Sequence, residues 1–311
     1  MDEDFGCNAP KRGRHGKSEE VGHVPVLLKE AIDFLAIRRG GTYIDATVGL
    51  AGHSYEIARR LGEQGRLIGF DKDAAALEIA RKRLSAPEEG DWPAVELIHG
   101  SFANIGERVP QGSADGLIAD LGVSSLQLED AARGFSFQAD APLDMRMDTR
   151  NEPTADQVVN RLDENTLADV IYEFGEERRS RRIARAIVRA RPLHTTAELA
   201  RVVAAAARPM KSERIHPATR TFQAIRIFVN RELEDLESLL ESAPRVLESG
   251  GRLVVISFHS LEDRRVKDAL RAGAQRGIYR LLTKKPVTAI KEEVDRNPRS
   301  RSAKLRAAER V

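Results

Sequence analysis

A short segment near the start of the chain combines acids and glycines in a way that suits a charged, nucleoside-containing ligand. An apolar strand ends in Asp45, two glycines fill the turn at residues 47–52, and a helix opens at His53. Glycine lets a backbone approach a ligand closely, and the first amides of a helix can bind a carboxylate or a phosphate. The next strand, 66–71, ends in Asp71, which can accept hydrogen bonds from both hydroxyls of a ribose.

Two classes of ligand and one ligand-free alternative fit this arrangement. A dinucleotide site requires Gly-x-Gly-x-x-Gly directly after the strand, and that spacing is absent here. S-adenosylmethionine fits better, because its amino-acid end carries both a carboxylate and an ammonium that can use an acid beside the turn. A tight strand–helix turn without a ligand explains the glycines but not the acids at the ends of both strands. We therefore expect S-adenosylmethionine as a methyl donor.

The elements that would position these residues alternate between strand and helix. After a helix that follows Pro25, the pattern predicts strands 42–46, 66–71, 94–98 and 115–120, with helices 54–61, 73–84 and 102–109 between them. Alternation of this kind predicts an α/β fold with a parallel, doubly wound sheet. The ligand crevice of such a sheet lies beyond the carboxyl ends of its strands. The candidate site residues all fall at those ends, namely Asp45, Asp71, Phe102 and Asp120.

After Asp120 the alternation stops, and only helical patterns follow until about residue 225. Amphipathic segments are expected at 154–160, 165–174, 176–190 and 195–207, and a single long helix at 217–241. An apolar run at 251–258 then predicts a fifth strand. A fifth strand so far from the fourth implies that a helical domain is inserted into the sheet domain.

The domain organisation follows from this break in the pattern. Residues 1–20 mix charges, Gly and Pro without periodicity, which is typical of a disordered leader. We predict a discontinuous sheet domain over 21–125 and 230–311, and an all-helical insertion over 126–229.

Composition restricts the class of protein. Of the 311 residues, 41% are apolar and 32% charged, as in soluble globular proteins. No run approaches the roughly 18 apolar residues of a membrane span, and the N-terminus lacks a secretory pattern. The single cysteine, Cys7, can form no internal disulfide, which is consistent with a cytoplasmic location. No zinc-ligand spacing is present, so we expect no metal.

Positive charge is concentrated in two blocks, although the net charge is only +2. Residues 176–191 contain seven arginines against two glutamates, and residues 284–310 contain nine basic against four acidic residues, so each block carries +5. A solvated helix face paired with nearby acids explains either block alone. Two blocks in one chain favour a nucleic-acid partner.

Asp120 and its exit loop are the best candidates for chemistry on the acceptor. In a methyl-transfer enzyme of this architecture, the loop after the fourth strand lies between donor and acceptor. Asp120 can accept hydrogen bonds from an exocyclic amine, hold the ammonium of the donor, or simply cap the following turn. Arg220 and Gln223 begin a helix that can contact a substrate. His259 either touches the substrate or caps the next helix.

These segments together resemble the ribosomal RNA small subunit methyltransferase H family, bacterial enzymes that methylate N4 of a cytidine in 16S rRNA. The resemblance covers about residues 22–308. It rests on eight blocks in order: His23-Val-Pro-Val-Leu-Leu, Asp45-Ala-Thr with Gly52-His-Ser, Asp120-Leu-Gly-Val-Ser-Ser, Arg133-Gly-Phe-Ser-Phe, Leu143-Asp-Met-Arg-Met-Asp, Ala218-Thr-Arg-Thr-Phe-Gln-Ala, Ser257-Phe-His-Ser-Leu-Glu-Asp-Arg and Asn297-Pro-Arg-Ser. The Asn297 block is also expected to be a basic loop that enters a last strand and contacts phosphate.

The resemblance implies a class I, Rossmann-like methyltransferase sheet interrupted by a helical substrate-recognition domain. It implies a target cytidine in the P site of the decoding centre, so that the partner is 16S rRNA or the small ribosomal subunit. Donor contacts are implied for Ala51, Gly52, His53, Asp71, Phe102, Asp120 and Gln127. The sequence departs from the family pattern at two places, where Ala51 replaces the usual Gly and Leu126 the usual Pro.

Two rival functions stay open at this point. One is a non-catalytic ribosome-assembly factor that binds rRNA, although intact acids at the strand ends argue against a pure binder. The other is a methyltransferase that acts on a different nucleic acid. The oligomeric state cannot be deduced from the sequence.

Overall fold

In the computed structural model, which describes residues 25–85, 90–207 and 216–311, seven strands form one sheet. They are β1 Thr42–Asp45, β2 Arg66–Asp71, β3 Ala94–His99, β4 Ala114–Asp120, β5 Leu247–Ser257, β6 Tyr279–Leu281 and β7 Lys304–Arg310. The order across the sheet is β3-β2-β1-β4-β5-β7-β6. Strands β1 to β5 are parallel, whereas β7 runs antiparallel to both β5 and β6. The predicted parallel, doubly wound α/β sheet is confirmed, but β6 carried too short a pattern to be predicted.

The helices in chain order complete the architecture. They are α1 Leu28–Leu35, α2 Gly52–Leu61, α3 Ala74–Arg83, α4 Ile105–Arg108, α5 Ser125–Glu129, α6 Ala155–Arg161, α7 Glu164–Gly175, α8 Ser180–Ala190, α9 Thr196–Ala207, α10 Ala218–Asn230, α11 Glu232–Val246, α12 Ser260–Gln275 and α13 Lys291–Arg296. Between β4 and β5 the described residues contain α5 to α11 and, as their only β structure, an isolated bridge. The proposed domain boundaries near 125 and 230 stay predictions, and the leader at 1–20 lies outside the described residues.

Side chains on the two faces of the sheet belong to two separate cores. Tyr43 and Leu67 are paired in register on β1 and β2 and pack with α1, α2 and α3. Their neighbours Ile44 and Ile68 point the other way and pack with α4, α11 and α12. This alternation follows from the period of two along a strand. A third core joins α6 to α10.

The expectation of one helix over 217–241 is wrong, because the chain breaks between α10 and α11 at Arg231. Arg231 has φ of 50°, in the left-handed region that ends a helix. The buried side chain of Asn230 accepts from the amide of Met147 at 2.7 Å and donates to the carbonyl of Met145 at 2.8 Å. These long-range hydrogen bonds fix the end of α10 where the sequence offers neither Gly nor Pro.

The strand order reverses between β1 and β4, which are neighbours in the sheet although β2 and β3 lie between them in sequence. The connections after β1 and β4 therefore leave the sheet in opposite directions and open a crevice at their carboxyl ends. Among the described residues, no helix is long and apolar enough to cross a membrane.

Gly69 allows the turn after β1 to pack closely against β2. A methyl group on Gly69 would lie 2.5 Å from Cγ2 of Val48 and 2.8 Å from Cδ2 of Leu97. We expect Gly69→Ala to lower the free energy of unfolding by about 1–3 kcal/mol, because overpacking displaces the turn. Urea unfolding measures this change. Gly100→Ala is the control, since no atom lies within 4 Å of its added carbon, and an equal loss in both variants would contradict the explanation.

Candidate active site

A cavity of about 380 Å³ lies at the carboxyl ends of β1, β2 and β4. Its walls come from the turn between β1 and α2, the residues after β2, β3 and β4, the facing helices α10 and α11, and the segments after β5 and α13. The crevice predicted from the alternating pattern is thus present. It brings together groups from the sheet and from the helical region of the chain.

The turn between β1 and α2 is hydrogen-bonded to the ends of two neighbouring strands. The amide of Gly49 donates to Asp71 at 2.7 Å, and the amide of Asp120 donates to the hydroxyl of Thr47 at 2.6 Å. Thr47 in turn donates its own amide to Asp45 at 3.0 Å. Gly49 has φ of 51°, a conformation that glycine adopts without strain. The turn is therefore fixed relative to both acids at the cavity.

Asp45 serves the turn and not the cavity wall. It is 1% exposed, and its second carboxylate oxygen accepts from the hydroxyl of Ser54 at 2.6 Å. Burial raises its pKa, and these hydrogen bonds oppose the rise. Asp45 is not among the described residues that line the cavity. Of the four candidate residues at the strand ends, Asp71, Phe102 and Asp120 line the cavity and Asp45 supports the turn from within.

Asp71 presents a carboxylate at the end of β2, as the sequence predicts. Its oxygens accept the amides of Gly49 and Asp73, at 2.7 and 2.8 Å. Burial is the main cause that raises the pKa of Asp71 to about 6, and the negative charges of Asp73 and Asp45 add to it. A carboxylate has about four acceptor positions, so Asp71 can still accept from the two hydroxyls of a ribose.

Asp120 is the least compensated acid in the cavity. Its Oδ1 atom is buried and has no hydrogen-bond partner among the described residues, and its Oδ2 atom lies 3.7 Å from Nδ1 of His53. Burial, followed by the negative charges of Asp45 and Glu262, raises the pKa of Asp120 well above its ordinary value. A cation or an amine that entered the cavity would satisfy this oxygen.

The family resemblance implies further contacts with the methyl donor, and the residues concerned occupy different positions in the structure. Gly52 and His53 line the cavity, and a methyl group on Gly52 would meet Pro25 at 2.3 Å, so packing as well as ligand access explains this glycine. Ala51 is fully buried with φ of 61° and is not a described lining residue. Its left-handed backbone gives a physical reason for the Gly that the family usually carries here.

Gln127 lines the cavity, yet both ends of its amide are used inside the protein. Its oxygen accepts from the amide of Ser124 at 3.0 Å, and its nitrogen donates to Asp73 at 3.0 Å. One hydrogen of the amide group is left to contact the methyl donor.

Leu126 is the second residue of α5, where a backbone amide needs no helical partner. Proline is tolerated in the first turn of a helix, so both Pro and Leu fit this position without the loss of a helical hydrogen bond.

Arg226 and Glu232 form a buried ion pair in the cavity wall that the sequence did not predict. The guanidinium donates from Nε and Nη2 to the two carboxylate oxygens, both at 2.8 Å. The two residues belong to α10 and α11 and lie on either side of the break at Arg231. Their contact depends on that break, which no local signal in the sequence indicates.

His259 caps α12, which confirms one of its two predicted roles. It also lines the cavity, and its contact with a substrate stays a prediction. Its Nδ1 atom accepts the amide of Glu262, and Glu262 accepts the amide of Phe258 at 2.8 Å. Glu232, His259 and Glu262 offer atoms within 4.8 Å of one another, a spacing that a metal ion can use. Glu232 is paired with Arg226, and Nε2 of His259 lies 3.1 Å from Oε1 of Glu262.

Arg220 and Gln223, which the sequence placed together, differ in their surroundings. Gln223 lines the cavity and donates to the carbonyl of Phe174 at 3.1 Å. Arg220 is not a described lining residue, and its guanidinium lies 3.7 Å from Glu177.

Both basic blocks leave most of their charged side chains at the surface. In the C-terminal block, Arg306 is buried and donates to Asp263 at 2.7 Å, and Lys304 lies 3.3 Å from the same carboxylate. These charges stabilise the packing of β7 and α12. The other basic residues of this block, except Arg310, are exposed, namely Lys284, Lys285, Lys291, Arg296, Arg299 and Arg301. The block around α8 exposes Arg178, Arg181, Arg182, Arg185 and Arg189.

The residues of the cavity fit S-adenosylmethionine. Asp71 is placed for the ribose, Phe102 offers an apolar wall for the adenine, and the buried oxygen of Asp120 suits an ammonium or an amine. The switch point between β1 and β4 is the usual ligand position in a doubly wound sheet. Fold and site together define a methyltransferase of the S-adenosylmethionine-dependent class.

Comparison with known proteins gives the family. Residues 20–311 match the model of the MraW methylase family, and the chain belongs to it. A protein of Koribacter versatilis named ribosomal RNA small subunit methyltransferase H is 66% identical over 97% of this chain and 98% of its own. Proteins of the same name from Acidobacterium capsulatum and Cyanothece sp. are 66% and 52% identical, each over 94% of this chain and over 99% and 96% of their own.

The raised pKa of Asp71 predicts how donor affinity depends on pH. Ribose hydroxyls bind the ionised carboxylate more strongly than the protonated one, so affinity is full above about pH 6 and falls as the pH drops through that value. We expect S-adenosylmethionine to bind about tenfold more weakly at pH 5 than at pH 7, as measured by calorimetry. Asp71→Asn should bind weakly at both values, and a step that persists in this variant would assign it to another group.

Proposed function

We propose that this protein transfers a methyl group from S-adenosylmethionine to N4 of a cytidine in the decoding centre of 16S rRNA. The observation that carries the proposal is one cavity that joins donor-type residues at the strand ends to polar groups from the helical region. Relatives whose name states ribosomal RNA small subunit methylation align over nearly the whole chain and support this substrate. We also propose that the enzyme acts in the cytoplasm, on 16S rRNA or on the small ribosomal subunit.

Positioning accounts for most of the mechanism. When bound, the donor supplies a methyl group on a sulfonium centre. Asp71 would hold the ribose of the donor, and the turn that contains Thr47 and Gly49 fixes the position of Asp71 relative to Asp120. The lone pair of cytidine N4 is delocalised into the ring. A carboxylate that accepts an N4 hydrogen can orient the amine for in-line transfer.

Asp120 is the group we assign to this orienting role. Its buried Oδ1 atom needs a hydrogen-bond donor, and burial beside the charges of Asp45 and Glu262 raises its pKa. The amine of the target base provides the missing hydrogen-bond donor. No strong general base is required, since the proton can leave after methyl transfer. The target nucleotide must be unpaired or flipped to reach this position.

The arginines of α8 are proposed to bind rRNA phosphates beside the cavity. Arg181, Arg185 and Arg189 lie one turn apart on one face of the helix and span about 12 Å. The start of this row lies near the rim of the cavity, because Glu176, just before α8, hydrogen-bonds to Ser260 and Arg264 at the start of α12. We accordingly assign substrate recognition to the helical region, 126–229.

An rRNA-binding assembly factor without catalysis is the alternative function. A pure binder has no need for an acid fixed at the end of β2, nor for a buried carboxylate without a partner at the end of β4. Both features instead suit a donor and an acceptor held side by side.

Transfer from labelled S-adenosylmethionine to unmodified small subunits, followed by mass mapping of the product nucleoside, tests the function. We expect one N4-methylated cytidine in the decoding centre. Tight donor binding without transfer to these particles or to free 16S rRNA would favour the assembly factor. Transfer to DNA alone would exclude the proposed substrate.

Asp120→Asn separates the two roles open to this acid. If Asp120 orients the acceptor, kcat should fall about 100-fold, because a neutral amide oxygen accepts the N4 hydrogen more weakly than a carboxylate, while donor affinity changes by less than about threefold. Single-turnover kinetics and calorimetry measure the two quantities. A variant that fails to bind the donor would show instead that Asp120 holds the ammonium.

Replacing Arg181, Arg185 and Arg189 together by Gln should weaken binding to small subunits. Each lost phosphate contact reduces the slope of log affinity against log salt concentration by about 0.7 to 0.9. We therefore expect the slope measured in filter-binding assays to decrease by about two. The control replaces Arg59, Arg60 and Arg81, each of which pairs with a glutamate of its own helix. Equal effects in both variants would contradict a specific surface on α8.

A further inference from the structure

Three of the cationic side chains that line the cavity differ in how their charge is compensated. Arg226 is bound to Glu232 through two hydrogen bonds of 2.8 Å, and its side chain is only 16% exposed. Lys72 lies 2.6 Å from Asp235, with both side chains mostly buried. These two charges are neutralised inside the protein and serve the packing of α10 and α11.

Arg299 is the third cation, and its compensation is weak. Its Nη1 atom donates to the hydroxyl of Ser125, a neutral partner, and its Nη2 atom lies 3.7 Å from Glu129. The side chain of Glu129 is 74% exposed, so this ion pair is screened by water and contributes little. Arg299 therefore keeps a positive charge at the cavity that, among the described residues, only the exposed Glu129 offsets, and weakly.

The position of Arg299 is fixed by its own segment. The side-chain oxygen of Asn297 accepts the amide of Arg299 at 3.3 Å, and the hydroxyl of the fully buried Ser300 donates to the carbonyl of Asn297 at 2.8 Å. The contact with Ser125 then holds the guanidinium against the loop that follows Asp120. A group held in place before binding loses less conformational freedom on binding.

The exposure of Arg299 indicates which part of a substrate it meets. It lines the cavity while 39% of its side chain is exposed, so its guanidinium lies at the mouth and not at the floor. A nucleotide that enters base first leaves its phosphates at the mouth. The planar guanidinium matches a phosphate with two parallel hydrogen bonds, and the bond to a neutral hydroxyl can be exchanged at small cost.

We propose that Arg299 binds the backbone phosphate of the target nucleotide and so holds the flipped cytidine in the cavity. This assignment rests on the proposed function, because it requires an RNA substrate. It separates Arg299 from the arginines of α8, which contact phosphates farther from the target. It also gives the Asn297-Pro-Arg-Ser block a role at the site, beyond entry into β7.

Arg299→Gln and Arg301→Gln form a matched pair that tests this role. Arg301 lies two residues away, is exposed, and is not a described lining residue, so its replacement removes the same charge from the same segment. Binding to unmodified small subunits at several salt concentrations measures the RNA contact, and calorimetry with S-adenosylmethionine measures the donor site. Thermal unfolding of both variants checks that the fold is kept.

We expect Arg299→Gln to weaken subunit binding about tenfold and to reduce the salt slope by about one, with donor affinity unchanged. Arg301→Gln should change subunit binding by less than about threefold. Arg299→Lys should recover part of the loss, since it restores the charge without the planar fork. Recovery by Lys is not expected if Arg299 acts only through packing.

Two results would overturn the assignment. Equal subunit binding by the Arg299→Gln and Arg301→Gln variants would show that the charge at the mouth has no special role. Loss of donor affinity in Arg299→Gln would place the guanidinium on the carboxylate of the donor. Failure of the proposed function is distinguishable from both, because the wild-type protein would then transfer no methyl group to the subunit whatever the variants bind.

Discussion

The turn between β1 and α2 is the constraint on which the site depends. Its amide at Gly49 fixes Asp71, and its hydroxyl at Thr47 fixes the backbone of Asp120. Asp45 is buried beneath these contacts and holds the turn itself through Thr47. The ends of three parallel strands are thereby locked into one arrangement, so the acids of the cavity keep their spacing before any ligand arrives.

The same arrangement concentrates negative charge where water is largely excluded. Burial raises the pKa of Asp45, Asp71 and Asp120. The negative charge of Asp45 raises the pKa of Asp71 and of Asp120 further. Asp45 and Asp71 offset this cost with backbone amides, whereas the Oδ1 atom of Asp120 does not, among the described residues. The sulfonium and ammonium of a bound donor would offset the buried carboxylates as a group, whereas Oδ1 of Asp120 is left for the amine of the acceptor. The electrostatics of the cavity thus favour a cationic donor.

Local pattern was sufficient to predict the five parallel strands and three residues that line the cavity at their carboxyl ends. Strands β1 to β5 carry clear apolar runs, and parallel strands bring Asp71, Phe102 and Asp120 to one edge by geometry alone. Contacts between distant segments were not predictable. The break at Arg231 depends on hydrogen bonds of Asn230 to residues more than 80 positions away, and the use of Arg306 inside the fold depends on its contact with α12. Sequence periodicity contains no information about either.

A crystal structure with S-adenosylhomocysteine bound tests most directly whether this cavity is the site of methyl transfer. The account predicts that the ribose hydroxyls lie within hydrogen-bond distance of Asp71 and that the adenine packs on Phe102. The sulfur should then face the side of the cavity that holds Asp120. A ligand bound away from the carboxyl ends of β1, β2 and β4 would contradict the account.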